Sequence, residues 1–246
     1  MVTEEAAMDS KVMIVTGASS GVGRALALHF AGEGYTVCAV ARTREKLAEL
    51  ENSARGAPGA VYPYPCDVRS SGRVQEVFSR IFEEHGGPDV LVNNAGVVKM
   101  ERFHLQAMES IDWMIDTNLK GAMYCTRMVV PSMIEGGRGR IINVASVAGT
   151  WGMKNQVIYG ASKHGLVGFG DALGRELAPL GVQVITLCPG GIDTPLWRED
   201  NPYPGREKRL IDPEELVDLV SFILRQPAGT LYKKIVFFPV TEWHAG

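Results

Sequence analysis

Tyr159 and Lys163 stand four residues apart in Tyr159-Gly-Ala-Ser-Lys163, a spacing that puts both on one face of a helix. A free phenol titrates near 10, too high for efficient proton exchange at neutral pH. A lysine ammonium about 5 Å away, at an effective dielectric near 20, favours the phenolate by roughly 3 kcal/mol, or about two pK units. The pair therefore reads as a proton donor and acceptor whose phenol is lowered by the lysine. Upstream, Asn143-Val-Ala-Ser146 ends an apolar run and delivers a serine hydroxyl that can hydrogen-bond a developing alkoxide.

A second constellation begins at Thr16-Gly17-Ala-Ser19-Ser20-Gly21-Val22-Gly23, directly after an apolar run and before an amphipathic segment. Glycines at a strand-to-helix turn allow positive φ and close backbone approach, and the helix N-terminus offers N–H groups to a diphosphate. Gly17, Ser19, Ser20, Gly21, Val22 and Gly23 are expected to cradle a dinucleotide. The second apolar run ends in Val40-Ala-Arg42-Thr-Arg44. It offers no acid for a ribose 2′-hydroxyl and an arginine able to grip a 2′-phosphate, which favours NADP over NAD. Asp67, beside Val68, is placed to accept from the adenine amino group, and Asn94-Ala95-Gly96 to let backbone pass under the adenosine ribose. Lys163 can also bond the ribose next to the nicotinamide.

These residues need a scaffold that brings strand ends together. Apolar runs at 11–16, 36–41, 61–65, 89–93, 140–145, 182–187 and 231–238 alternate with helical periods at 22–33, 44–54, 71–85, 111–133, 157–180 and 213–225. That is the βαβ pattern of an α/β domain, a doubly wound, Rossmann-type parallel sheet with helices on both faces. Continuous Val/Ile/Leu composition suits strands covered on both sides. No long Pro/Gly/Ser-rich linker and no internal repeat divides the 246 residues, so 1–246 reads as one domain, with 1–10 as a polar N-terminus and 194–209 as a substrate loop.

Composition narrows the function classes. At 46% hydrophobic and 22% charged, with a net charge of −3, the chain is neither disordered nor basic enough for nucleic acid. Its partners are expected to be small molecules or another copy of itself. Four scattered cysteines without a Cys-x-x-Cys pair read as buried thiols of a reducing compartment. With no secretory leader and no membrane-length apolar run, a cytoplasmic location is expected. The five histidines lack metal-ligand spacing, so no metal is expected, and Ser146 lacks a Gly-x-Ser-x-Gly elbow.

Together, Thr16-Gly17-x3-Gly21-x-Gly23, Asn93-Asn94-Ala95-Gly96, Asn118, Ser146, Tyr159-x3-Lys163 and Pro189-Gly190 followed by Thr194 resemble the short-chain dehydrogenase/reductase family. The resemblance implies a seven-stranded parallel sheet of order 3-2-1-4-5-6-7 and a catalytic tetrad of Asn118, Ser146, Tyr159 and Lys163. It further implies that Asn118 holds a water through a helix irregularity, and that Pro189, Gly190, Ile192 and Thr194 run past the nicotinamide. The implied activity is hydride transfer between NADPH and a carbonyl or secondary alcohol, with 3-ketoacyl thioesters and small ketones as specific cases. A non-catalytic NADP-binding regulator on the same fold is the competing class. Residues 97–100, 147–151, 154–156 and 195–198, with Trp151, Met153 and Trp197, are expected to shape an apolar substrate mouth. Two long helices imply a homodimer or homotetramer, although the chain departs from the family in ending Ile235-Val-Phe-Phe-Pro-Val-Thr-Glu-Trp243.

Overall fold

The computed structural model describes residues 11–197 and 210–243. Seven strands form one parallel sheet in the order β3-β2-β1-β4-β5-β6-β7. They are β1 (Val12–Thr16), β2 (Thr36–Ala41), β3 (Ala60–Pro65), β4 (Val90–Asn93), β5 (Gly139–Val144), β6 (Val182–Pro189) and β7 (Lys234–Phe237). Alternation on a strand assigns side chains to opposite faces. Met13 and Val15 of β1 join Phe30, Leu47 and Leu216, whereas Val12 and Ile14 join Phe78, Cys125 and Leu177. The helices α1 (Gly21–Gly32), α2 (Arg44–Ser53) and α7 (Pro213–Arg225) therefore cover one face. The other face is covered by α3 (Ser71–His85), α5 (Gly121–Glu135) and α6 (Val157–Leu177).

Local signals explain the boundaries. Asp212 caps α7 with a capping box closed by Glu215, and Pro213 occupies the first turn, where a missing N–H costs nothing. The period expected over 157–180 ends at Leu177 and continues as a 3-10 turn, Ala178–Leu180, because Pro179 cannot donate to the helix ladder. The helix expected at 111–133 is longer and interrupted. It runs as α4 (Met108–Ile115), a π-helical turn (Asp116–Lys120) and α5. The last strand, expected over 231–238, is shorter, since β7 is an edge strand paired only with β6, from Lys234 to Phe237. All four cysteines are buried free thiols. Among the described residues, no helix is long and apolar enough to cross a membrane, and no group of three metal-ligating side chains occurs. The segments 1–10 and 198–209, to which the sequence assigns a polar N-terminus and most of a substrate loop, lie outside the described residues.

Candidate active site

The glycine turn is built by contacts from three strand ends. Gly17 has φ +68°, and a Cβ there would come within 2.8 Å of the Ala95 backbone, so the turn needs glycine for both conformation and space. The Thr16 hydroxyl accepts from the Asn94 and Ala95 amides at 3.0 and 3.1 Å, and Asn94 Nδ2 donates to the Thr16 carbonyl at 3.0 Å. Asn94 thus ties the end of β4 to the turn after β1. At Gly23, α1 passes so close to the Gly17 carbonyl that any Cβ would collide with it; this glycine packs the helix and does not line the cavity above. The first turn of α1 carries no acidic side chain, so its positive end stays uncompensated.

That cavity, about 610 Å³, runs from Arg42 at one end to Trp197 at the other along the carboxyl ends of the strands. Gly17, Ser19, Ser20, Gly21 and Val22 form its floor, with Asp67, Val68, Asn94, Ala95 and Gly96 beside them. Pro189, Gly190, Ile192 and Thr194 close it, the last with its side chain 3.1 Å from the Cβ position of Gly21. A backbone bond from Asp193 N–H to the Ile211 carbonyl, 2.8 Å, anchors that closing segment. Arg42 makes no ion pair among the described residues, though its charge helps lower Asp67, and Lys46, not Arg44, is the second cation on this wall. Sequence reading missed Lys46, although its place one turn into α2 beyond the Thr43 cap brings it back toward Arg42. The Asp67 carboxylate is held below its usual range, first by hydrogen bonds from the Arg69 guanidinium, at 2.6 and 3.0 Å.

Ser146, Tyr159 and Lys163 line the middle of the same cavity. Ser146 caps the short 3-10 turn Val147–Gly149, its Oγ accepting from the Ala148 amide at 3.1 Å. A Cβ at Gly149 would meet the Lys163 carbonyl at 2.7 Å, so this glycine lets the Ser146 turn press against α6. The serine hydroxyl faces the Tyr159 phenol, on which it acts to lower the pKa. Lys163 Nζ donates to the Val144 carbonyl at 2.9 Å and lies 5.8 Å from the centre of the Tyr159 ring.

The electrostatics differ from expectation. Burial pushes the Tyr159 phenol up to about 12, the Ser146 hydrogen bond opposing it, and burial draws Lys163 down to about 8. The expected lowering of Tyr159 by Lys163 is therefore not a property of the protein alone. The ammonium points at a carbonyl and not at the phenolic oxygen, and desolvation of the charged forms outweighs the attraction. The direction sets a pH dependence. Lys163 is charged below about pH 8 and neutral above it, while Tyr159 keeps its proton up to about pH 12. A reduction needing both the proton and the nearby cation is expected to show kcat/KM falling about tenfold per unit above about pH 8; a profile flat from about pH 7 to about pH 10 would contradict this.

Asn118 occupies the π-helical turn, buried and away from the cavity wall. Its Oδ1 accepts from Val97 N–H at 2.8 Å, and its Nδ2 donates to the Val97 carbonyl at 2.9 Å and to Ser162 Oγ at 3.0 Å. Its side chain is thus spent on holding the loop after β4 against α6. The neighbouring Thr117, which sequence reading passed over, is also a lining residue, and its buried hydroxyl has no hydrogen-bond partner among the described residues. Thr117 and Trp113 lie at i and i+4 and both reach the wall, a spacing that a search for polar groups along this helix would have found.

At the Trp197 end, Val97 to Met100, Val147, Met153, Gln156, Pro195 and Leu196 line the cavity as expected. Trp151 does not. It is 44% exposed and meets Phe238 edge-on at 5.9 Å, because the C-terminal segment after β7 passes behind the Ser146 turn. Lys154 is likewise an exposed residue off the wall, and Arg198 lies outside the described residues.

Comparison with known proteins matches this geometry. The family described as short chain dehydrogenase matches residues 11–204. The chain is 38% identical over 237 residues to a 3-oxoacyl-acyl-carrier-protein reductase of Thermotoga maritima, covering 93% of this chain and 96% of that protein. It is 41% identical over 190 residues to a 3beta-hydroxysteroid dehydrogenase of Mediterraneibacter gnavus, covering 76% and 68%. Among solved structures, a serine dehydrogenase complexed with NADP+ superposes with a TM-score of 0.86 at 31% identity, covering 96% of this chain and 97% of that one. A metagenomic short-chain oxidoreductase in complex with NADP superposes with a TM-score of 0.82 at 31% identity, covering 94% and 97%. With a family match over most of its length and the seven-stranded sheet to carry it, the chain belongs to the short-chain dehydrogenase family and is an oxidoreductase acting on alcohol or carbonyl groups.

Proposed function

We propose that this oxidoreductase moves a hydride between NADPH and a carbonyl or secondary alcohol, with Ser146, Tyr159 and Lys163 as its catalytic residues. The observation that carries the reading is the convergence of these three side chains, from two elements, on the wall of the cavity floored by the glycine turn. The residues present fit the cofactor. A backbone cradle at the α1 N-terminus suits a diphosphate, and Arg42 and Lys46 on the cavity wall suit a 2′-phosphate.

When bound, NADPH supplies the hydride that reaches the carbonyl carbon. Ser146 Oγ and Tyr159 Oη bind the carbonyl oxygen and fix its position. Tyr159 gives its proton from Oη to the alkoxide oxygen as charge develops there, a contribution of about 10²–10⁴-fold for a positioned acid. Lys163 keeps a cation beside the ring, stabilising the phenolate left behind, and would also hold the ribose of the bound cofactor. Asn118 acts as a positioning residue, holding Val97 and the loop that carries Gly96. In the oxidative direction the same groups take the proton back.

The relatives' reactions, on a 3-oxoacyl thioester and on a hydroxysteroid, support 3-ketoacyl thioesters and apolar ketones as substrates to try first. The test is a panel of ketones, aldehydes and 3-ketoacyl thioesters followed by loss of NADPH absorbance. Turnover of at least one class is expected, and NADPH binding without turnover of any would favour the non-catalytic regulator instead.

A further inference from the structure

Among the described residues, Asn155 is the only non-glycine residue with positive φ, +64°. A left-handed backbone costs an L residue energy and persists where the surroundings impose it, often beside a working site. Asn155 stands third in the turn 153–156, which the Gln156 amide closes on the Met153 carbonyl at 3.2 Å, a position that selects glycine or asparagine when φ is positive. Its side chain is exposed and makes no hydrogen bond among the described residues. What the residue contributes is the direction of its backbone. The Asn155 carbonyl accepts from Glu101 N–H at 2.9 Å. Beside that bond, the buried Gln156 donates from Nε2 to the Met100 thioether at 3.5 Å, a weak acceptor. The segment before α6 is thus joined to the end of the segment that follows β4, and the backbone bond is the stronger of the two links. The other end of that second segment is held at Val97 by the Asn118 amide. Residues 97–101 all line the cavity. Met100 and Met153, one from each joined segment, belong to the same apolar cluster as Trp113 and Tyr159.

From this, and resting on the carbonyl-reductase reading above, we infer that Asn155 is a positioning residue for substrate selectivity: its left-handed backbone fixes the Met100 and Met153 wall beside Tyr159, and that wall binds the hydrocarbon body of the substrate. Asn155 itself does not line the cavity and acts only through the wall. A wall pinned at both ends favours the ketone with the longer chain, because it meets each methylene removed from water without first being ordered. If the turn leaves the left-handed region, the carbonyl swings away from Glu101, Met100 and Met153 separate, and the chain of the substrate loses its surface while Ser146, Tyr159 and Lys163 keep theirs.

The experiment compares kcat/KM for NADPH-dependent reduction of 2-nonanone with that of 2-butanone, the same methyl ketone with a shorter chain. The native ratio is expected to be at least ~10-fold, the worth of about two methylenes buried on the wall. Asn155→Val places a β-branched residue where φ is positive and is expected to lower that ratio at least ~5-fold, through KM for 2-nonanone and not through kcat. Asn155→Gly, which adopts positive φ freely, is expected to hold the ratio within about twofold of native. Asn155→Ala, a milder strain, is expected to fall between the two, and it carries the test if the valine variant does not fold. A loss of folded protein lowers both rates together, so only the ratio reports on the wall. A native ratio near one, a native ratio retained in the folded valine or alanine variant, or a glycine variant that falls as far as valine overturns the inference and leaves the carbonyl-reductase reading in place. Failure to reduce either ketone also overturns the inference, and the wider panel of carbonyl compounds then decides the carbonyl-reductase reading separately.

Discussion

Tyr159→Phe is expected to lower turnover of any ketone substrate by about 10³-fold, equivalent to roughly 4 kcal/mol of lost transition-state stabilisation. NADPH affinity, read by fluorescence titration, is expected to change by less than about threefold, since the phenyl ring keeps the packing and only the proton donor disappears. The expectation follows from geometry as well as from residue type. Tyr159 is the buried acid on the cavity wall, its phenol raised by burial so that it holds its proton at neutral pH, and the Ser146 hydroxyl is turned toward it. The effect should fall on kcat and kcat/KM alike, the signature of a group used in the transition state. A variant that reduces ketones at the native rate would remove Tyr159 from the mechanism.

Arg42→Ala is expected to weaken NADPH binding by about 10- to 100-fold, the worth of a charge-assisted hydrogen bond of roughly 1.5–3 kcal/mol, and to leave NADH nearly as before. The guanidinium follows β2 on the cavity wall with no ion pair among the described residues, and Lys46 stands on the same wall. Lys46→Ala should add a smaller loss of the same selectivity, because an ammonium acts as a point charge without the bidentate fork. Both losses should shrink in high salt, since these cations are exposed and therefore screened. Equal losses for NADPH and NADH would refute the 2′-phosphate assignment.

Much of the scaffold was legible in the chain. The helices at Ser71–His85 and Pro213–Arg225 and the strand Thr36–Ala41 have the bounds that periodicity and capping suggest, because caps, prolines and alternation act within a few residues. Boundaries moved where distant partners decide them. β7 shortened because it has one neighbour among the described residues, whereas the π-helical turn Asp116–Lys120 is the helix irregularity that the family resemblance, and not local propensity, led one to expect at Asn118.

The site divides in the same way. Spacing along one element was enough to select the glycine turn, Tyr159 with Lys163, and Arg42 at a strand end, because backbone geometry fixes where such residues point. Side-chain partners across elements were not legible. Asn118 spends its amide on Val97 and Ser162, Asp67 is held by Arg69, and Trp151 leaves the substrate mouth for Phe238. The sequence by itself determined the fold class through local periodicity and the family through motifs a few residues long, and it picked out the residues proposed here to carry the chemistry. Only the tertiary structure decided the direction of the Tyr159 and Lys163 shifts, the orphaned Thr117 hydroxyl and the burial of the Gln156 amide in an apolar wall. Those depend on desolvation and on distances between residues far apart in the chain, and neither quantity exists until the sheet has brought them together.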